Sequence, residues 1–122
     1  MNERYGGTGT QPASVLVNVQ RYPTGKSVVS VSGEMLRGAM ADMARVITEE
    51  LMRAPTLLAL DLSDVTGIDT AGVSTLASVA ALAGESDISF CLVGVEGRPV
   101  GVAIADADLV ELFEIVPSVS DA

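Results

Sequence analysis

The spacing of apolar residues changes several times along the chain, and each change marks a new element. Val15, Val17 and Val19 alternate with more polar neighbours through Ser14–Arg21, the period of a half-buried strand. Tyr22-Pro23-Thr24-Gly25 supplies a turn, because Pro fixes one φ angle and Gly tolerates a positive one. A second strand over Ser27–Ser32 then makes an antiparallel pair with the first. From Glu34 to Arg53 the period becomes helical: Leu36, Met40, Met43, Ile47 and Leu51 fall on one face, as core-packing residues do. Pro55 disfavours the helical conformation at Ala54 and closes that helix near Arg53.

Leu57–Leu62 is a short apolar run of the kind covered on both sheet faces, which predicts a central strand. Val73, Leu76, Ala77 and Ala80 then define a helix from Ala71 to Ala83, and Ile88–Val93 reads as a further strand. Pro99 opens a short helix through Ala105, Leu109–Val116 a turn and an edge strand, and Ser118–Ala122 the first turn of a helix. Residues 1–12, rich in Gly, Thr, Asn and Gln, predict a flexible leader, with one domain over 13–122. This order predicts an α/β fold: a mixed, mainly parallel sheet with an antiparallel start, right-handed crossovers and helices packed against it. Sites in such sheets form at the carboxyl ends of the strands, which directs attention to the polar loop expected after Leu62.

Composition narrows the chemistry. The chain has 122 residues, enough for one core, and only two Phe and two Tyr, so aliphatic side chains fill it. A net charge of −9 repels nucleic-acid phosphates and anionic lipid, predicting no direct nucleic-acid binding. The absence of His removes the commonest general base and the His-activated nucleophiles, so no catalytic residue, metal site or cofactor is predicted. Cys91 lies in an apolar strand and reads as a small core residue. No stretch approaches the about 18 apolar residues of a membrane span, and the start lacks an apolar signal core, which predicts a cytoplasmic protein.

The segment Asp61-Leu62-Ser63-Asp64-Val65-Thr66-Gly67-Ile68-Asp69-Thr70-Ala71-Gly72 concentrates carboxylates and hydroxyls between the central strand and the Ala-rich helix. Asp69 or Thr70 is placed to cap that helix. A hydroxyl there is also a favourable phosphate carrier, since free N–H groups and the helix dipole stabilise negative charge. A magnesium-dependent phosphoaspartate pocket fits less well: Val19-Gln20-Arg21 gives no acidic pair at the first strand's end, and Lys26, the only lysine, lies in the first hairpin.

The same segment resembles the signature of STAS domains in bacterial anti-sigma factor antagonists, D-x-S-x-V-x-x-x-D-S-x-G, with Thr70 at the position of the phosphorylatable Ser. Val31-Ser32-Gly33-Glu34, Leu92-Val93-Gly94-Val95 and Leu109–Phe113 extend the resemblance from about Val15 to the end of the chain. The family's G-E-x-D segment is Gly33-Glu34-Met35-Leu36 here, with Leu in the Asp position. The resemblance implies a STAS fold and a domain that binds an anti-sigma factor of kinase-like ATPase fold, so releasing a sigma factor. Phosphorylation of Thr70 by that kinase ends the interaction, and a phosphatase restores it. Ser63, Asp64, Asp69 and Gly72 become the phosphosite and partner-binding residues, with Gly33 and Glu34 as further partner contacts. Asp69 is placed to orient the Thr70 hydroxyl, Asp64 to meet the partner or stay solvated, and Gly72 to keep the docking surface flat or to pack its helix closely. The alternative is a scaffold or sensor that binds a nucleotide, lipid or larger complex without phosphorylation.

Overall fold

The computed structural model describes residues 15–122, so the leader expected over residues 1–12 and the first residues of the domain lie outside the described residues. Five strands form one sheet in the order β1-β2-β3-β4-β5: Val15–Arg21, Lys26–Met35, Leu57–Ile68, Ser89–Val93 and Glu114–Val116. β1 and β2 are antiparallel, and each later pair is parallel. β3 is the middle strand, as its unbroken apolar run requires.

Helices α1 (Met40–Met52), α2 (Thr70–Glu85) and α3 (Pro99–Asp106) contribute to the core over one face of the sheet. That core joins Val29 and Val31 of β2, Leu58, Leu60 and Leu62 of β3 and Leu92 of β4 to Met43, Ile47, Leu76, Val79, Val100 and Ile104. Each such side chain, fully buried, stabilises the fold by about 1.5–3 kcal/mol. Strand neighbours pointing the other way, Val28, Ala59, Cys91 and Val93, form a smaller core with Tyr22, Val116, Val119 and Ala122. Cys91 is therefore a buried packing residue, and burial pushes its thiol pKa up.

Two elements depart from the sequence expectation. The helix expected from Glu34 begins only at Met40. Glu34 and Met35 instead extend β2, pairing with Gly67 and Ile68, and the chain turns at Gly38, where φ is +99°. The Ala39 N–H closes that turn on the Leu36 carbonyl at 3.1 Å. Leu36 is half-buried before the helix, whereas Met40, Met43, Ile47 and Leu51 are the buried stripe.

The polar segment after Leu62 is strand through Ile68, not a loop. Opposite β2, Ser30–Ser32 faces Asp61–Asp64 and Gly33–Glu34 faces Val65–Gly67, so β3 carries one extra residue in each interval. These bulges break the period of two and put buried Leu62 and Val65 three positions apart. They let a long strand curve while remaining paired.

Near the end of α1, Glu50 is only 2% exposed. Arg21 donates to its two oxygens from Nε and Nη2, both at 3.0 Å, and Ser27 Oγ donates at 2.6 Å. The guanidinium, followed by the Ser27 hydroxyl, holds the Glu50 carboxyl below its ordinary range despite burial.

Candidate functional site

The ends of β2 and β3 and the start of α2 build one surface. Asp69 is the N-cap of α2, with extended backbone, and its Oδ1 accepts the Gly72 N–H at 3.0 Å. Its Oδ2 accepts the Arg37 N–H at 3.0 Å, tying the helix start to the turn after β2. The Asp69 N–H also donates to the Met35 carbonyl at 3.3 Å. Hydrogen bonds from the Arg37 and Gly72 amides hold the Asp69 carboxyl below its usual range. Each carboxylate oxygen thus accepts from one backbone amide, and Asp69 ties the start of α2 to the turn after β2.

Thr70 is the first residue of α2 and is exposed. Among the described residues its hydroxyl has no hydrogen-bond partner, in contrast with Thr75, which donates to the Ala71 carbonyl at 2.8 Å. The positive end of the helix dipole lies at Thr70, and the Gly72 and Val73 amides of this first turn donate to Asp69. Thr70 also borders a groove of about 800 Å³ between α2 and α3, lined by Ile68, Val73, Ala77, Ala103, Ala107 and Leu109. Asp69, Ser74 and Asp106 are its polar edge.

Gly72 is buried, and a Cβ there would stand 2.5 Å from the Met35 carbonyl oxygen and 2.6 Å from Ile68 Cγ1. Its missing side chain lets α2 start hard against the end of β2. Gly33 has φ +103° at the bulged end of β2, where its carbonyl accepts from Thr66 Oγ1 at 3.3 Å. Glu34 is exposed and runs beside Gly67. Gly33 and Glu34 therefore lie on the strand that leads into the Asp69–Thr70 corner.

Ser63 belongs to a different neighbourhood. Its N–H and Oγ both donate to Asp61 Oδ1, at 3.1 and 2.7 Å, its carbonyl accepts from Arg98 Nη1 at 3.3 Å, and its Cβ fills the space beside Gly94. Asp64 is exposed opposite Ser32. Among the described residues no three acidic, His or Cys side chains converge as a metal site would require. Sequence spacing did not point to Arg37, Met35 or the α3 side of the groove. Sheet register and helix packing bring them to Thr70, and no local motif marks them.

A model of the STAS domain family matches residues 16–122, and the chain belongs to that family. Among solved structures it is similar to an anti-sigma factor antagonist from Mycobacterium paratuberculosis, 28% identical over 92% of this chain and 93% of that one, with a TM-score of 0.80. SpoIIAA, an anti-sigma factor antagonist solved in its unphosphorylated form, is 12% identical over 87% and 92% of the two chains, with a TM-score of 0.70. The same fold occurs in murine Solute Carrier 26 family member A9, an anion transporter: 18% identity over 93% of this chain but 22% of that one, with a TM-score of 0.69. No curated protein sequence matches the chain. No helix among the described residues is long and apolar enough to cross a membrane.

Proposed function

We propose that this STAS domain is a cytoplasmic anti-sigma factor antagonist: it binds an anti-sigma factor of kinase-like ATPase fold, frees the sigma factor, and is switched off by phosphorylation of Thr70. The observation that carries this reading is the state of Thr70, exposed and without a hydrogen-bond partner among the described residues, at the first position of α2 on the edge of an apolar groove. The similarity to the mycobacterial antagonist over nearly the whole chain supports it.

The domain is substrate, not enzyme, in this cycle. The kinase transfers the γ-phosphoryl of ATP to Thr70 Oγ1, ADP leaves, and a base of the kinase takes the hydroxyl proton. The product adds a charge of about −1.5 to −2 where the helix amides and dipole stabilise it, so the fold survives the modification. An interface that closes over a neutral hydroxyl then has to bury a dianion, and affinity falls. A phosphatase returns Thr70 to the hydroxyl form. Glu34, Gly33 and the Asp69 corner flank Thr70 in this interface, while the exposed Asp64 extends it along β3.

The test is incubation with candidate anti-sigma kinases and ATP, followed by mass spectrometry of the peptides. Labelling is expected at Thr70 and lost in Thr70→Ala; stoichiometric labelling at another residue would overturn the assignment.

One observation favours a second reading, a ligand sensor that works without phosphorylation. The groove beside Thr70, at about 800 Å³ and largely apolar, falls within the range of small-molecule sites. Native mass spectrometry of the purified domain separates the two, since a sensor retains a nucleotide or lipid and the switch does not need one.

A further inference from the structure

The negative charge is unevenly distributed. Residues 94–122 hold Glu96, Asp106, Asp108, Glu111, Glu114 and Asp121 against one basic residue, Arg98, so five of the nine net charges fall in this last quarter. The same stretch supplies three of the large apolar side chains left exposed among the described residues: Val102 at 55%, Val110 at 46% and Leu112 at 51%.

Val100 and Ile104 are the buried contacts of α3. Val102 is not needed for that packing, and with Val110 it borders a groove of about 470 Å³ completed by Gly101, Ala105, Phe113 and Ile115, with Glu96 at its edge. The groove beside Thr70 instead takes Ala103 and Asp106 of the same helix, and Ala107 at its end. α3 therefore separates two surfaces. Exposed, contiguous apolar residues beside a charged rim are a liability unless a partner covers them.

We propose that this flank of α3 is a second docking surface, and that its occupant is a partner helix with an apolar face edged by Lys and Arg. The apolar face covers Val102 and Val110, and the basic edge meets Glu96, which borders the groove, and the exposed Asp108 and Glu111 on either side of Val110 in the chain. Charge argues against the other occupants. A second copy would set two acidic rims against each other, and an anionic membrane would be repelled in the same way. Because the surface does not include Thr70, its occupancy is independent of the proposed switch.

The test titrates the full-length, ¹⁵N-labelled protein with a synthetic amphipathic Leu/Lys helix of about 18 residues, or five turns. Shift changes are expected to gather at Glu96, Gly97, Gly101, Val102, Ala105 and Val110, not at Val73, Ala77 or Ala103, and to persist in Thr70→Glu. The double variant Val102→Ser/Val110→Ser, whose changes are at exposed positions and whose charge is native, is expected to bind about tenfold more weakly. A peptide with Ser in place of Leu should show a comparable loss. The proposal is overturned if shifts spread over all acidic surfaces, if they gather at the Thr70 groove, or if the double variant binds as the native protein does. Native protein that dimerises through Val102 would overturn it too, by making a second copy the occupant.

Discussion

Replacing Gly72 by Ala places a methyl group 2.5 Å from the Met35 carbonyl oxygen, 2.6 Å from Ile68 Cγ1 and 3.1 Å from its Cδ1. Ordinary contacts of these kinds are about 3.3–4.0 Å, so the methyl is roughly 1 Å too close to two neighbours. Ile68 can rotate away. The Met35 carbonyl cannot move as freely, because it is sheet backbone and accepts the Asp69 N–H. The start of α2 has to lift, at the usual overpacking cost of about 1–3 kcal/mol. Ala also favours a helix over Gly by about 1 kcal/mol, which leaves a net loss of up to about 2 kcal/mol. Gly84 is the internal control: it lies in α2 with no atom within 4 Å of an added Cβ, so Gly84→Ala should gain about 0.4–1 kcal/mol. Urea unfolding followed by far-UV circular dichroism, with unchanged m-values, measures both. Gly72→Ala is expected to be the less stable of the two variants by at least about 1 kcal/mol, and a Gly72→Ala protein that gains as much as Gly84→Ala would refute the packing argument.

Two further outcomes follow from the charged groups. Glu50→Gln keeps the shape but weakens the bonds from Arg21 and Ser27, and should cost about 1–3 kcal/mol at neutral pH. Because the folded-state pKa of Glu50 is depressed, the charge contribution is full above the unfolded carboxylate value of about 4.3 and is lost as pH falls through the lower folded value. The gap between native and variant should therefore narrow in acid, and a gap independent of pH would contradict the ion-pair account. Asp69→Ala removes the acceptor shared by the Arg37 and Gly72 amides, so hydrogen exchange at those two should accelerate while Leu60 and Leu92 in the central strands keep their protection. Unchanged exchange at Arg37 would show that the carboxylate does not hold the turn.

The sequence carried the order of elements along the chain, the central strand and the place of Thr70 at a helix start because these rest on local signals. The uninterrupted Leu57–Leu62 run marked the middle strand, Pro99 marked α3, and Asp69-Thr70 marked the start of α2. What it concealed depends on partners distant along the chain. Gly38 ends the Glu34–Ala39 stretch as a turn even though Leu36 falls on the helical period. The two extra residues in β3 erase the alternation that identifies a strand, so Ser63–Ile68 read as a polar loop. The commitment of both Asp69 oxygens, and the separation of Ser63 from Thr70, follow from the register of β2, β3 and β4.

The proposed switch is tested most directly by calorimetric titration of native, Thr70→Ala, Thr70→Glu and Thr70-phosphorylated protein into a partner anti-sigma factor. The account predicts that Thr70→Ala binds as the native protein does, since the hydroxyl makes no structural bond among the described residues. It predicts that the phosphorylated form binds at least about tenfold more weakly, about 1.4 kcal/mol or more, with Thr70→Glu shifted in the same direction. Equal affinity of the native and phosphorylated forms would contradict it.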